Sequence, residues 1–175
     1  MNKHVTRIHV RAISACSHRG LVMAGNLRLP CALGRSGVKA RKREGDGATP
    51  RGAWRLLQGY WRPDRLCRPQ TALPFRPLSP QNGWCDDPND RNYNRPVSLP
   101  YPASHERLWR CDRLYDLVIA LAHNTRPRQR CGGSAVFLHL ERPDGGPTAG
   151  CIALNLPDLR KLLAVCGPRS HLVVH

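Results

Sequence analysis

The chain has 175 residues, 41% hydrophobic and 23% charged, which fits one globular domain with an apolar core and excludes a disordered polyelectrolyte. Its 28 Lys and Arg against 12 Asp and Glu give a net charge of +16, so its partner or surroundings are expected to be anionic. The eight cysteines never fall within four positions of one another, which excludes a CxxC zinc hook or redox pair, and a chain of this length needs no disulfide staples. Most of the cysteines are expected as small buried hydrophobes. Neither a metal nor a cofactor is expected. The opening, MNKHVTRIHVRAISACSHRG, is basic and lacks a signal-peptide core, and no apolar run reaches membrane-span length.

In chain order, Ile8 and Val10, with Ile13 beyond them, alternate with polar residues as in a strand. Leu21 to Met23 and Leu27 to Leu29 flank Ala24-Gly25-Asn26, which has hairpin chemistry. Cys31 to Leu33 extend the second arm. A glycine-punctuated loop, Gly34 to Gly52, carries the basic run Arg35 to Arg43 and ends in Thr49-Pro50-Arg51-Gly52. That run has no interleaved aromatics, so nucleic acid is not the expected partner. Trp54 to Leu57 read as a further strand. Residues 62–105, rich in Pro, Asp and Asn, read as a long insertion-like loop, an uncommon feature that is often functional. Ser104-His105-Glu106-Arg107 resembles a helix start with Ser104 as N-cap. Tyr115 to Leu121 and Ala135 to Leu140 are buried-strand candidates, and Cys151 to Leu154 form a short third. Pro157 to Val165 place Leu159, Leu162 and Leu163 at helical spacing, with Gly167 as the stop. Leu172 to Val174 close the chain as a strand. Together these predict a mainly β single domain over residues 1–175 with one or two short helices, expected as a monomer.

The segment from Gly133 to Leu154 carries the chemistry. His139 lies on an apolar strand, and Cys151 follows a Thr-Ala-Gly turn twelve positions later. The intervening Pro143-Asp144-Gly145-Gly146-Pro147 forces a reversal, so two strand ends can bring the imidazole and the thiol side by side. A thiol is mostly protonated at neutral pH, and a neighbouring imidazole can take its proton. Backbone N–H groups of the Gly150 turn can hold a developing oxyanion. On residue types alone, a core histidine and an inert cysteine are the commoner readings.

The stretch Gly133-Ser134-Ala135-Val136-Phe137-Leu138-His139 with Thr148-Ala149-Gly150-Cys151-Ile152-Ala153-Leu154 resembles the catalytic motif of the L,D-transpeptidase (YkuD-like) family. There a His precedes a [Ser/Thr]-x-Gly-Cys turn. Upstream, Gly45-Asp46-Gly47-Ala48-Thr49-Pro50-Arg51-Gly52 resembles the family's Thr-Pro-x-Gly turn. The chain departs from the pattern with Leu140 after the histidine, Ala149 before the Gly-Cys pair and Ala153 two residues past the cysteine, which marks a divergent branch. The resemblance implies a β-sandwich or barrel with Cys151 as acylated nucleophile, His139 as base and Thr148 and Gly150 shaping the turn and oxyanion site. It also implies that the Leu140 main chain orients the histidine. The implied substrates are peptide stems of peptidoglycan, cleaved through a thioester. The implied location is the periplasm or cell envelope, although the chain shows no signal peptide and a cytoplasmic location stays open.

Other polar residues are candidates for lining the cleft: Trp84, Asp86, Asp87, Tyr93, His123, Asn124 and Arg35. Asp86 and Asp87 can pair with the amine of a diamino acid, or Asp87-Pro88 can simply begin a turn. Two alternatives stand beside the transpeptidase: an L,D-carboxypeptidase or other hydrolase on the same scaffold, and a non-catalytic basic module that binds an anionic polymer.

Overall fold

A computed structural model of the chain describes residues 4–14 and 17–175. Cys16 lies outside the described residues. The strands are β1 (Val5–Ala12), β2 (Arg19–Ala24), β3 (Leu27–Ala32), β4 (Val38–Lys39), β5 (Thr49–Pro50), β6 (Gly52–Trp61), β7 (Phe75–Pro77), β8 (Asn82–Cys85), β9 (Arg95–Ser98), β10 (His105–Arg107), β11 (Leu117–Leu121), β12 (Phe137–Leu140), β13 (Ile152–Leu154) and β14 (Cys166–Val174). A single helix, α1 (Leu156–Val165), is present among the described residues. The fold is the mainly β domain that the residue pattern predicts.

Eight strands close on themselves in the order β11-β12-β13-β3-β2-β1-β14-β6, because β6 pairs with β14 through Gly52–Arg55 and with β11 through Leu56–Trp61. The ten-residue length of β6 lets it serve both neighbours. Closure leaves these strands without a free edge over the paired lengths, which removes a template for aggregation. Two pairings, β1–β14 and β12–β13, are parallel, and the other pairings around the ring are antiparallel. The β2–β3 hairpin turns at Gly25, whose φ of +56° is a conformation that glycine adopts without steric cost. Ile13 lies past the end of β1 and is exposed.

Alternation sorts the side chains of each strand into an inner and an outer set. Ile8 and Val10 of β1, Val22 of β2, Leu172 and Val174 of β14, and Leu117, Ile119, Leu138, Ile152 and Leu154 fill the barrel. Each fully buried Leu or Ile contributes about 2 kcal/mol of transfer free energy. Helix α1 adds Leu159, Leu162 and Leu163 to this core. Its N-cap is Asn155, whose side chain accepts from the Asp158 amide at 2.9 Å, with Pro157 in the first turn. The helix ends at Val165 and the chain enters β14 at Cys166, before reaching Gly167.

Residues 62–105 are not one long loop. β7 adds to β6, and β8, β9 and β10 form a separate three-stranded sheet in the order β10-β8-β9. The helix expected to start at Ser104 is instead the strand β10, with His105, Glu106 and Arg107 opposite Cys85, Trp84 and Gly83. Pairing with β8 satisfies its backbone, whereas a short isolated helix would have to bear its own nucleation cost. This small sheet lies over the outer face of β11 and β12. Leu78, Trp84, Leu108 and Tyr115 form a second core there with Val118, Ala120 and Phe137. The Trp84 and Tyr115 rings meet Phe137 edge-on at 5.2 and 5.7 Å.

Candidate active site

β12 and β13 run parallel, with Leu138 opposite Ile152 and His139 opposite Ala153. Leu138 and Ile152 point into the barrel, so His139 and Cys151 belong to the opposite, outer set. The two side chains therefore lie on one face of adjacent strands, offset by two residues. Both line a cleft of about 410 Å³ between the barrel wall, the capping sheet and the loop that follows β3. Cys151 is 8% exposed and its thiol is free, and His139 is 5% exposed.

The turn before Cys151 is tightly specified. Gly150 has a φ of +137°, and a β-carbon there would sit 2.7 Å from the Ala48 carbonyl oxygen. No larger residue fits without moving that backbone. The Thr148 hydroxyl donates to the Cys151 carbonyl at 2.7 Å and accepts the Gly150 amide at 3.1 Å. Thr49, from the Thr-Pro turn about 100 residues earlier, donates to the same Cys151 carbonyl at 3.4 Å and accepts the Gly34 amide at 2.9 Å. Two threonines from distant segments thus hold the backbone that presents the sulfur.

The Leu140 carbonyl lies 2.7 Å from Nδ1 of His139. A carbonyl only accepts, so Nδ1 carries the proton and Nε2 keeps its lone pair. The Tyr115 ring stands edge-on to the imidazole at 5.2 Å. Burial pushes His139 down to about 4, and the Arg110 charge acts in the same direction against the pull of the Leu140 carbonyl. Burial pushes the Cys151 thiol up to about 12, with Glu106 adding to the effect, while the Phe137 amide and the Lys42 ammonium oppose it. Burial therefore favours the uncharged form of each group, a thiol and a neutral imidazole. The sulfur accepts the Phe137 amide at 3.3 Å, and the thiol donates to the Ala135 carbonyl, also at 3.3 Å.

The cleft carries charges of both signs. Asp86, Glu106 and Arg110 come from the capping sheet and the segments beside it, whereas Arg35, Lys42, Glu44 and Arg142 come from loops around the barrel mouth. Oδ1 of Asp86 is buried without a hydrogen-bond partner. Glu106 accepts the Tyr115 hydroxyl at 2.6 Å and lies 3.7 Å from Arg110, and burial raises its carboxyl above the usual carboxylate range. Lys42 is paired with Asp46.

Of the candidate substrate residues, Asp86 and Arg35 line this cleft together with His139, Cys151, Gly150 and Thr148. The others are placed elsewhere. Trp84 is buried behind Phe137 and donates to Asn94 at 2.9 Å. Asp87 accepts the Asn89 amide at 2.8 Å and so begins a turn. The buried Tyr93 donates to Glu44 from behind the cleft wall. His123 and Asn124 line a different concavity.

Glu106, Tyr115, Lys42 and Thr49 were not among the sequence candidates. Tyr115 was signalled by its place at the polar-tipped start of an apolar run, and Thr49 by its motif. Nothing local marked Glu106 or Lys42.

A comparison with curated proteins finds no match. The sequence model of the L,D-transpeptidase catalytic domain (YkuD) matches residues 17–174. With nearly the whole barrel and cap inside that match, the chain belongs to the L,D-transpeptidase catalytic domain family.

Proposed function

We propose that this family member is a cysteine-dependent L,D-transpeptidase that acts on peptidoglycan peptide stems through a thioester on Cys151. The observation that carries the reading is the opening of one cleft onto both His139 of β12 and Cys151, the residue that leads into the parallel neighbour β13.

The thiol hydrogen turns from the Ala135 carbonyl toward the lone pair on Nε2 of His139, and sulfur attacks the carbonyl carbon of an L-centre. The neutral resting pair favours proton transfer in concert with attack over a stored thiolate. The Gly150 amide is already bonded to Thr148. The Phe137 amide already donates to the sulfur, and the Cys151 amide is assigned the oxyanion. Collapse of the tetrahedral species breaks the C–N bond, and His139 returns the proton to the departing D-amino acid. An amine from a second stem then attacks the thioester and gives its proton to His139, and the thiol is restored.

The carboxylates of the cleft suit the ammonium of a diamino-acid side chain. Asp86 offers a carboxylate oxygen without a partner, and Arg35, which makes no ion pair among the described residues, suits a substrate carboxylate. A cell-envelope site of action belongs to this reading. Among the described residues no helix is long and apolar enough to cross a membrane.

Intact-protein mass spectrometry with meropenem tests the nucleophile. The native chain is expected to gain one adduct and the Cys151→Ala variant none. An adduct kept by that variant moves the nucleophile to another cysteine. Incubation with tetrapeptide stems then reads the acceptor: cross-linked dimers or exchanged D-amino acids support transfer, and shortened stems alone show water as acceptor.

A further inference from the structure

A second concavity of about 410 Å³ lies on the other side of Lys42, which lines both cavities. Its charged lining is Arg41, Lys42, Arg51 and Arg126, with no carboxylate. The three arginines are exposed, and among the described residues none of them makes an ion pair. Some arginines elsewhere pair with a carboxylate, as Arg62 does with Asp64, Arg110 with Asp112 and Arg142 with Asp144, whereas the lining of this hollow offers its arginines none. Like charges lining one hollow repel one another, and a bound anion relieves that cost; Arg51 also lines the neighbouring hollow that holds Arg11 and His175.

The floor of the hollow is built. Trp54 donates to the Pro50 carbonyl at 3.0 Å and meets the His123 ring edge-on at 4.7 Å. Gly52 is required for this arrangement, since a β-carbon there would lie 2.6 Å from the Trp54 ring. His123 is 8% exposed, and its Nε2 donates to the Gly132 carbonyl at 3.0 Å. Its Nδ1 is buried with no partner.

We propose that this hollow is an anion site, separate from the Cys151 cleft, that seats a phosphate group carried on a larger molecule through Arg41, Arg51 and Arg126. Guanidinium forks match the tetrahedral oxygens of phosphate with paired N–H donors, and a phosphate offers more charge to three such groups than a single carboxylate does. The hollow has one aromatic side chain, Trp54, and no run of stacking platforms, so it is not a track for a nucleic-acid strand. Next to the catalytic cleft, such a site anchors the enzyme on a phosphate-bearing surface while a stem occupies the cleft.

The test is titration of the full chain with poly(glycerol phosphate), with phosphatidylglycerol vesicles and with polyglutamate, at several salt concentrations. Both phosphate probes are expected to be preferred over polyglutamate. A preference for the soluble polymer assigns the phosphate to a polymer, and a preference for vesicles assigns it to a lipid headgroup. The variant R51Q/R126Q is expected to bind about tenfold more weakly, with a salt slope shallower by about two. The variant R7Q/R160Q removes the same charge from exposed positions outside the hollow and is expected to change binding less than about twofold. Equal losses in the two double variants, equal binding of polyglutamate, or no binding of either phosphate probe overturns the proposal. Cys151→Ala is expected to bind as the native chain does, so the outcome does not depend on the catalytic assignment.

Discussion

Two walls of the barrel differ in what covers them. β1, β2 and β14 face the core on one side and solvent on the other, and their burial alternates along most of each strand. β11, β12 and β13 are buried at every position, because the capping sheet and the loop around the cleft cover their outer side. His139 and Cys151 sit only on the doubly covered wall. Under the proposed function, a thiol and a base set there would exchange protons in a low-dielectric environment, shaped by a few fixed groups instead of by water. The singly covered wall carries one side of the core, and the doubly covered wall carries the cleft that holds Cys151 and His139.

Mutation of the two coverings separately breaks this comparison most sharply. Leu138→Ala empties the inner side and is expected to cost about 2–5 kcal/mol of global stability, read from denaturant unfolding. Trp84→Ala removes the outer cover at its contact with Phe137. Hydrogen exchange in that variant is expected to accelerate in β8 to β12 while β1, β2 and β14 keep their protection. Uniform acceleration across all strands would show that the cap and barrel are one cooperative unit.

The pH dependence of stability sharpens the comparison. His139 is held neutral in the fold, with its titration pushed down to about 4 from an ordinary value of 6.5. Between those values the unfolded chain takes up a proton that the folded chain refuses, so stability falls as pH drops from 6.5 toward 4. The His139 contribution is up to about 3 kcal/mol. It is read as the difference in pH profile between the native chain and His139→Gln, which removes opposing contributions such as that of Glu106. If Trp84→Ala loosens the cover, the same difference is expected to shrink.

A smaller effect is expected at the cap's edge of the cleft. Asp86→Asn keeps the shape and removes the charge. KM for a stem with a free side-chain amine is expected to rise about tenfold with kcat nearly unchanged, as for a lost ground-state contact. An equal fall in kcat would give Asp86 a part in the chemical step.

Local pattern marked the elements that depend on local physics. Alternation in Ile8 and Val10, the turn at Gly25, the apolar runs of β11 and β12, and the spacing of Leu159, Leu162 and Leu163 each report a face to be buried. The Thr-x-Gly-Cys turn and the histidine on its strand were legible as the candidate nucleophile and base through their likeness to the family motif. The capping sheet was not legible, because Pro, Asp and Asn obscure periodicity in strands as short as three or four residues, and β10 exists only through pairing with β8. The tertiary structure alone decided that Thr49 meets the Cys151 carbonyl, that Asp86 and Glu106 line the same cleft as the thiol, and that His123 and Asn124 belong to a separate arginine-lined hollow. Periodicity tells which side of a strand is apolar. Barrel closure and loop packing decide which distant segments share a cavity, and those contacts set the charge, burial and proton affinities on which function depends.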